Sequence, residues 1–211
     1  VRNLSLRPGQ AVVVLDRQFP SDVYGWQHLA ERDGGLVVTV ATPADLDWTA
    51  AVLATLHDLG DQVGVVSVPP CHWTDGGLVD LVAVAAAARD LGAAVCVDLC
   101  QWLGAAPFDV HEVQPDFAFG ATYKWLCGPY SVGFLWAAPH RRGGEPIEHG
   151  WMPRANSHDL AALERFATIR RLFARMLVVL TKEGHKAPKY VELQKKISAE
   201  LMQIRFSARQ V

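Results

Sequence analysis

Four short valine-rich runs without polar alternation constrain this chain more than any other feature: Ala11–Asp16 (AVVVLD), Leu36–Ala41 (LVVTVA), Val63–Val68 (VGVVSV) and Ala93–Asp98 (AAVCVD). β-Branched residues in runs this short favour strands, and a strand apolar on both faces needs cover on both. Helical patterns fill the intervals. One starts near Ser21 and Asp22 and stops before Gly34-Gly35; a second runs from about Asp47 to His57 and stops at Gly60; a third runs from about Gly77 to Leu91, with Gly92 at its end. Glycine tolerates the left-handed conformation that closes a helix, so these glycines read as stops. Alternating strands and helices imply right-handed crossovers and an α/β sheet. Two further strands, Phe117–Ala121 and Val132–Ala137, are separated by only about ten residues, too few for a crossover. They are expected to be antiparallel neighbours. The expected fold is three-layered, a mixed and mostly parallel sheet between flanking helices.

Composition changes abruptly near Arg165. Residues 1–164 carry 9 basic and 19 acidic side chains, a net of −10, whereas residues 165–211 carry 11 and 3, a net of +8. Sixteen of the 17 glycines and all seven tryptophans precede the change. Residues 1–164 therefore read as the core domain and 165–211 as a basic helical tail. Ile169, Leu172, Phe173, Met176, Leu177 and Leu180 share one helix face, and Tyr190, Leu193, Ile197, Leu201 and Ile204 share another beyond Pro188. The tail's aromatics are spread out and mostly fit those apolar faces, which favours solvated helices over a nucleic-acid or anionic-membrane contact. No apolar stretch of about 18 residues is free of charges or breakers, so no membrane span is expected. No basic segment followed by an apolar run opens the chain, so no secretory signal is expected either. The first residue is Val, which hints at a processed or partial product. Cys71, Cys96, Cys100 and Cys127 form no C-x-x-C pair and have no histidine at zinc-finger spacing. They read as small buried thiols in a reducing compartment, the cytoplasm.

In open α/β sheets, ligands bind beyond the carboxyl ends of the strands. Asp98 closes an apolar run, and Lys124 lies just past Phe117–Ala121 in the loop TYKWLCGPY. Two strand ends thus deliver a carboxylate and an amine to one rim. Taken alone, the pair is as compatible with a helix cap and a solvated loop lysine as with a site.

The surrounding block, VDLCQWLGAAPFDVHEVQPDFAFGATYKWLCGP, combines Asp-x-x-Gln, Gly-Ala, hydrophobic-Asp-Val, Asp-Phe and Tyr-Lys-Trp-Leu followed by Gly-Pro. It resembles the fold-type-I pyridoxal-phosphate enzymes of the class V aminotransferase family, which includes kynureninases, cysteine desulfurases and isopenicillin-N-epimerase-like proteins. The resemblance runs from about Leu6 to Phe166. It implies pyridoxal 5'-phosphate as cofactor, an amino-acid substrate and a homodimer. It also implies that Lys124 forms the internal Schiff base and shuttles the substrate Cα proton. Asp98 would pair with the protonated pyridine nitrogen, and Gln101 would reach the phenolic oxygen of the ring. Tyr123 stands where kynureninase-like members place a hydroxyl on the phosphate; desulfurases have His there, a departure that argues against desulfurase. FPSDVYGW (Phe19–Trp26) is similar to a kynureninase stretch in which Phe19 would stack on the pyridine and Asp22 would lie near the cofactor. The alternative is a helix start, with Ser21 or Asp22 as cap and Phe19 buried. In CHWTDGG (Cys71–Gly77), Thr74 and His72 match a loop that carries a polar residue near the ring. PIEHGWMPR resembles a loop that presents a Trp to the phosphate edge, often in the partner subunit, and Trp151 is the matching residue. Two family elements find no counterpart: the Gly/Ser/Thr phosphate turn upstream, and the carboxylate-binding Arg of the small domain. The reaction stays open between kynureninase-like C–C hydrolysis, transamination and epimerase or lyase chemistry. Tyr123 and FPSD favour the kynureninase side. The competing reading is a non-catalytic remnant whose basic tail binds a partner.

Overall fold

The computed structural model describes residues 1–146, so Trp151 and both expected tail helices lie outside the described residues. Six strands form one sheet: β1 (Ala11–Leu15), β2 (Leu36–Val40), β3 (Val63–Val68), β4 (Ala94–Asp98), β5 (Phe117–Ala121) and β6 (Gly133–Ala137), in the order β2-β1-β3-β4-β5-β6. The pairings are parallel from β2 through β5, and only β5–β6 is antiparallel. This is the mixed, three-layered α/β fold expected from the sequence.

Helices α1 (Pro20–Asp33), α2 (Trp48–Leu59), α3 (Leu81–Asp90) and the short α4 (Val110–Val113) connect the strands. From β1 the chain steps to β2 on one side and then crosses to β3 on the other. Right-handed crossovers in opposite directions put the helices on opposite faces. Trp26, Leu29 and Ala30 of α1 accordingly pack with Val12, Val14, Val65 and Cys96 on one face. Trp48, Val52 and Leu56 of α2 and Val84, Ala85 and Ala88 of α3 pack with Val13, Leu15, Val66 and Val97 on the other. Alternate residues of one strand thus serve two cores, which is why the runs show no polar alternation. Each fully buried Val, Leu or Ile side chain contributes about 1.5–3 kcal/mol of transfer free energy.

Three details differ from expectation, each for a physical reason. Strand β2 is the sheet edge with one partner, and Leu36 at its start is 43% exposed. Helix α3 begins at Leu81 rather than near Gly77, because Leu78 bridges antiparallel to Cys71 and Asp80 caps the helix by accepting from the Val82 and Ala83 amides at 3.0 Å. Helix α1 has Phe19, not Ser21 or Asp22, at its N-cap, with Pro20 opening the first turn and no side-chain cap bond. Phe19 is 44% exposed, and Asp22 is left for another role. Of the four free cysteines only Cys96 is buried; Cys71 and Cys100 are half-buried and Cys127 is exposed. Among the described residues, no helix is long and apolar enough to cross a membrane.

Candidate active site

The carboxyl ends of β1, β3, β4 and β5 share one rim, and the order in which strands are added reverses between the parallel neighbours β1 and β3, where such folds bind ligands. The loop after β1 supplies Gln18, Phe19 and Asp22. The loop after β3 supplies His72, Trp73 and Thr74. Strand β4 ends on Asp98 and is followed by Cys100 and Gln101, while β5 is followed by Tyr123 and Lys124.

The Lys124 loop is held by its own backbone. Buried Thr122 donates both its amide and its hydroxyl to the Val132 carbonyl at 3.0 and 3.1 Å. Gly128 and Cys127 donate to the carbonyls of Thr122 and Lys124 at 2.8 and 3.1 Å. From β4's side, Gly104 approaches so closely that a Cβ there would meet the Trp125 carbonyl at 2.8 Å, and its φ of +94° already demands glycine. Lys124 is half-buried, its Nζ 6.0 Å from the ring centroids of both Phe19 and Tyr123. Those faces of negative potential favour an amine between them. The Tyr123 ring stacks on Tyr130 at 4.3 Å and 20°, and Trp73 meets Phe19 edge-on at 5.7 Å and 83°.

Near the amine lie two carboxyls. Asp98 is buried, and its Oδ1 accepts from the Cys100 amide at 2.8 Å. Asp22 faces it. Buried Asp22 Oδ2 meets no donor, because its neighbour is another acceptor. A proton on Asp22 resolves the conflict. Burial first, then the Asp98 charge and the contact between the two carboxyls, push Asp22 up to about 8, against the lowering influence of Gln18 and Lys124. Asp22 therefore holds a proton more readily than an ordinary carboxyl does, and a proton there can be donated to Asp98. The same environment pushes the Cys100 thiol up to about 12, through burial and then Asp98, while its Sγ accepts the Ala121 amide at 3.1 Å. Burial and the adjoining Tyr130 raise Tyr123.

The Asp22 arrangement carries a pH signature. A carboxyl whose folded value exceeds its unfolded one stabilises the fold fully below the unfolded value, near 4, and that stabilisation is lost as pH rises through about 8. The protein is expected to lose melting temperature from about pH 4 to about pH 8, between the unfolded and folded values of Asp22. Asp22→Asn, neutral throughout and still a donor to Asp98, is expected to lose less; parallel thermal scans of both proteins check it.

The structure thus gathers Phe19, Asp22, Asp98, Tyr123 and Lys124 at one rim. Gln101 is half-buried on the turn after Asp98. Thr74 is exposed, its hydroxyl 3.0 Å from His72 Nδ1, and His72 is buried with both ring nitrogens engaged. Trp73, Cys100, Tyr130 and Gln18 were not singled out from sequence. Trp73 and Cys100 sit inside the motifs that were, and Tyr130 ends the Lys124 loop. Nothing in the local pattern marks Gln18.

The model of the family described as aminotransferase class-V matches residues 1–150. The chain belongs to the class-V aminotransferase family. It is 33% identical over 156 residues to the kynureninase of Deinococcus radiodurans, covering 72% of this chain and 36% of that protein. It is 30% identical over 136 residues to the kynureninase of Pseudomonas fluorescens, covering 63% and 30%. The chain thus spans about a third of the length of these curated relatives. Among solved structures, the cysteine desulfurase CsdA (S-sulfonic acid) of Escherichia coli superposes with a TM-score of 0.69 at 20% identity, covering 96% of this chain and 47% of that one. The cystine C-S lyase C-DES, in complex with its reaction product cysteine persulfide, gives 0.68 at 21% identity, covering 95% and 52%. These two likenesses show the fold. The model of a second family, Sigma-70 non-essential region, matches residues 156–211.

Proposed function

We propose that this chain carries the cofactor-binding core of a pyridoxal-phosphate enzyme that acts on an amino acid, on the kynureninase side of its family. The observation that carries the reading is one cluster: the half-buried Lys124 amine near the facing Asp22 and Asp98 carboxyls and beside the exposed Phe19 ring. The residues present suit that cofactor. A pyridinium N–H is a donor, and the buried Asp98 carboxylate would accept it in a site short of donors, as the partnerless Asp22 Oδ2 shows. An open aromatic face suits a planar ring, and an amine between aromatic faces suits an aldehyde.

When bound, the cofactor supplies an electron sink for negative charge at the substrate Cα. Asp98 would hold the proton on the ring nitrogen, since a fixed anion keeps that nitrogen charged. Asp22 shares its own proton with Asp98, and Phe19 would lie against the ring face. Tyr123 offers a hydroxyl to the phosphate, with Gln101, Thr74 and Trp151 as further cofactor contacts. Lys124 would hold the aldehyde and, once the substrate amine displaces it, move the proton at Cα. The working unit is proposed to be a homodimer in the cytoplasm. The +8 charge of residues 165–211 and the separate family match over 156–211 favour one second reading, a non-catalytic core that serves a basic interaction tail.

An absorbance scan with added pyridoxal phosphate, followed by borohydride reduction and peptide mapping, decides between the two. Visible absorbance with reduced cofactor on Lys124 is expected. Labelling confined to the tail lysines, all beyond residue 181, would favour the second reading.

A further inference from the structure

The loop Cys71–Gly77 after β3 makes contacts that the scheme above does not use. Its His72 side chain is fully buried (0% exposed). His72 Nε2 lies 3.0 Å from the Asp16 carbonyl oxygen, an acceptor, so Nε2 carries the hydrogen of that bond. Nδ1 lies 2.9 Å from Asp75 Oδ2 and 3.0 Å from the Thr74 hydroxyl, and the ring leans on Trp48 at 4.8 Å. Asp75 in turn accepts the Gly77 amide at 2.7 Å, which closes the loop on itself. The next residue, Trp73, donates its indole N–H to the Arg17 carbonyl at 2.7 Å.

Two consecutive side chains of one loop therefore take two consecutive carbonyls of another. Between those carbonyls stands Arg17 at φ 54°, a left-handed conformation that a residue with a Cβ adopts only when its surroundings impose it. That turn sets the direction in which the chain leaves β1 and hence the place of Phe19, two residues on. Trp73 then presents its ring edge to Phe19, whose centroid is 6.0 Å from Lys124 Nζ. On its far side the same turn is tied to β2's end, where the Thr42 hydroxyl donates to Asp16 at 2.8 Å.

We propose that His72 and Trp73 are positioning residues, a two-pronged clasp that holds the left-handed turn at Arg17 and so fixes the Phe19 ring beside Lys124. The inference rests on the pyridoxal-phosphate reading for its consequence, while the clasp itself exists without cofactor. A packed aromatic at position 73 would serve stability without either carbonyl bond; the clasp requires the donors.

The experiment compares wild type, Trp73→Phe and His72→Phe, with His72→Gln as the variant that keeps a donor. Trp73 is 46% exposed, so Trp73→Phe keeps a ring on Phe19 and should fold even if His72→Phe does not. Both Phe variants are expected to bind pyridoxal phosphate roughly five- to tenfold more weakly, the effect of about one lost hydrogen bond. The induced circular dichroism of the visible band should change with them, because it reports how the ring is held, and His72→Gln should recover part of both. In the cofactor-free protein, hydrogen exchange at the Trp73 indole, identified by its loss in Trp73→Phe, should speed up about tenfold in His72→Phe if the clasp closes locally. Affinity and dichroism equal to wild type in both Phe variants would overturn the proposal while leaving the cofactor reading intact. A wild type that forms no Lys124 adduct removes the cofactor reading, and the indole exchange then decides the clasp by itself.

Discussion

Lys124→Ala is expected to take borohydride-fixed pyridoxal phosphate from stoichiometric to background. Lys124 is the only lysine before residue 182, so no second lysine amine can reach this rim from residues 1–146. The loop around it is held by Thr122, Val132, Gly128 and Gly104, none of which uses the Lys124 side chain, so the variant should fold normally. That makes loss of the adduct a chemical result rather than a collapse, and an unchanged far-ultraviolet spectrum beside the lost label checks it. Asp98→Asn is the companion. An amide does not stabilise a charged ring nitrogen, so the adduct should persist while exchange of a substrate's Cα proton into deuterated water slows by on the order of 100-fold. A Lys124→Ala protein that still carries one fixed cofactor per chain would end the assignment of this residue.

The fold was legible in the sequence because its main constraint is local. A strand that contributes to two cores has little room for polar positions: the runs at Val12–Leu15 and Ala94–Val97 show none, and β3 carries only the small, buried Ser67. Strand β2 shows a similar run yet sits at the edge, because strand order is set by crossovers and not by the strand's own composition. The start of α3 was missed because Leu78 bridges back to Cys71, a pairing that pulls the residues before Asp80 out of the helix. The placement of Asp98 and Lys124 at one rim was legible because two strand ends deliver them, and that of Phe19 and Tyr123 because they lie in the loops that follow β1 and β5. The proton on Asp22 was not legible. It depends on Asp98, which lies 76 residues away in sequence and arrives only when β1 and β4 share a sheet. The engagement of His72 with a carbonyl 56 residues away was hidden for the same reason, as was the Tyr123–Tyr130 stack.

At the opposite rim, Asp116→Ala is expected to cost about 2–4 kcal/mol of stability and to leave cofactor binding alone. Asp116 is buried just before β5, and its carboxylate gathers three donors: the Val95 amide at 2.8 Å, His140 Nε2 at 2.8 Å and Arg141 Nε at 2.6 Å. Its backbone repeats the tie, donating to the Val95 carbonyl at 2.8 Å and accepting from Ala138 at 2.9 Å. One residue thus joins β4, β5 and the chain leaving β6. Alanine would strand the buried Val95 amide and unpair Arg141, but Arg141 and His140 are 33% and 65% exposed and recover solvation, which keeps the cost below that of a fully buried pair. Burial alone would raise the Asp116 carboxyl; the Val95 amide, Arg141 and His140 outweigh it and hold it below its ordinary value. With the folded value depressed, the stabilisation is present above the unfolded value of about 4 and is lost as pH falls through the folded one. Urea unfolding of wild type and Asp116→Ala is therefore expected to show the full difference at neutral pH and a smaller one near pH 3 (about one unit below the unfolded value). A difference that stays constant with pH would mean that Asp116 acts through packing and not through its charge. The contrast with Asp22 follows from the same physics: a buried carboxylate that meets donors keeps its charge and anchors the sheet, whereas one that meets another carboxylate keeps its proton and waits at the site.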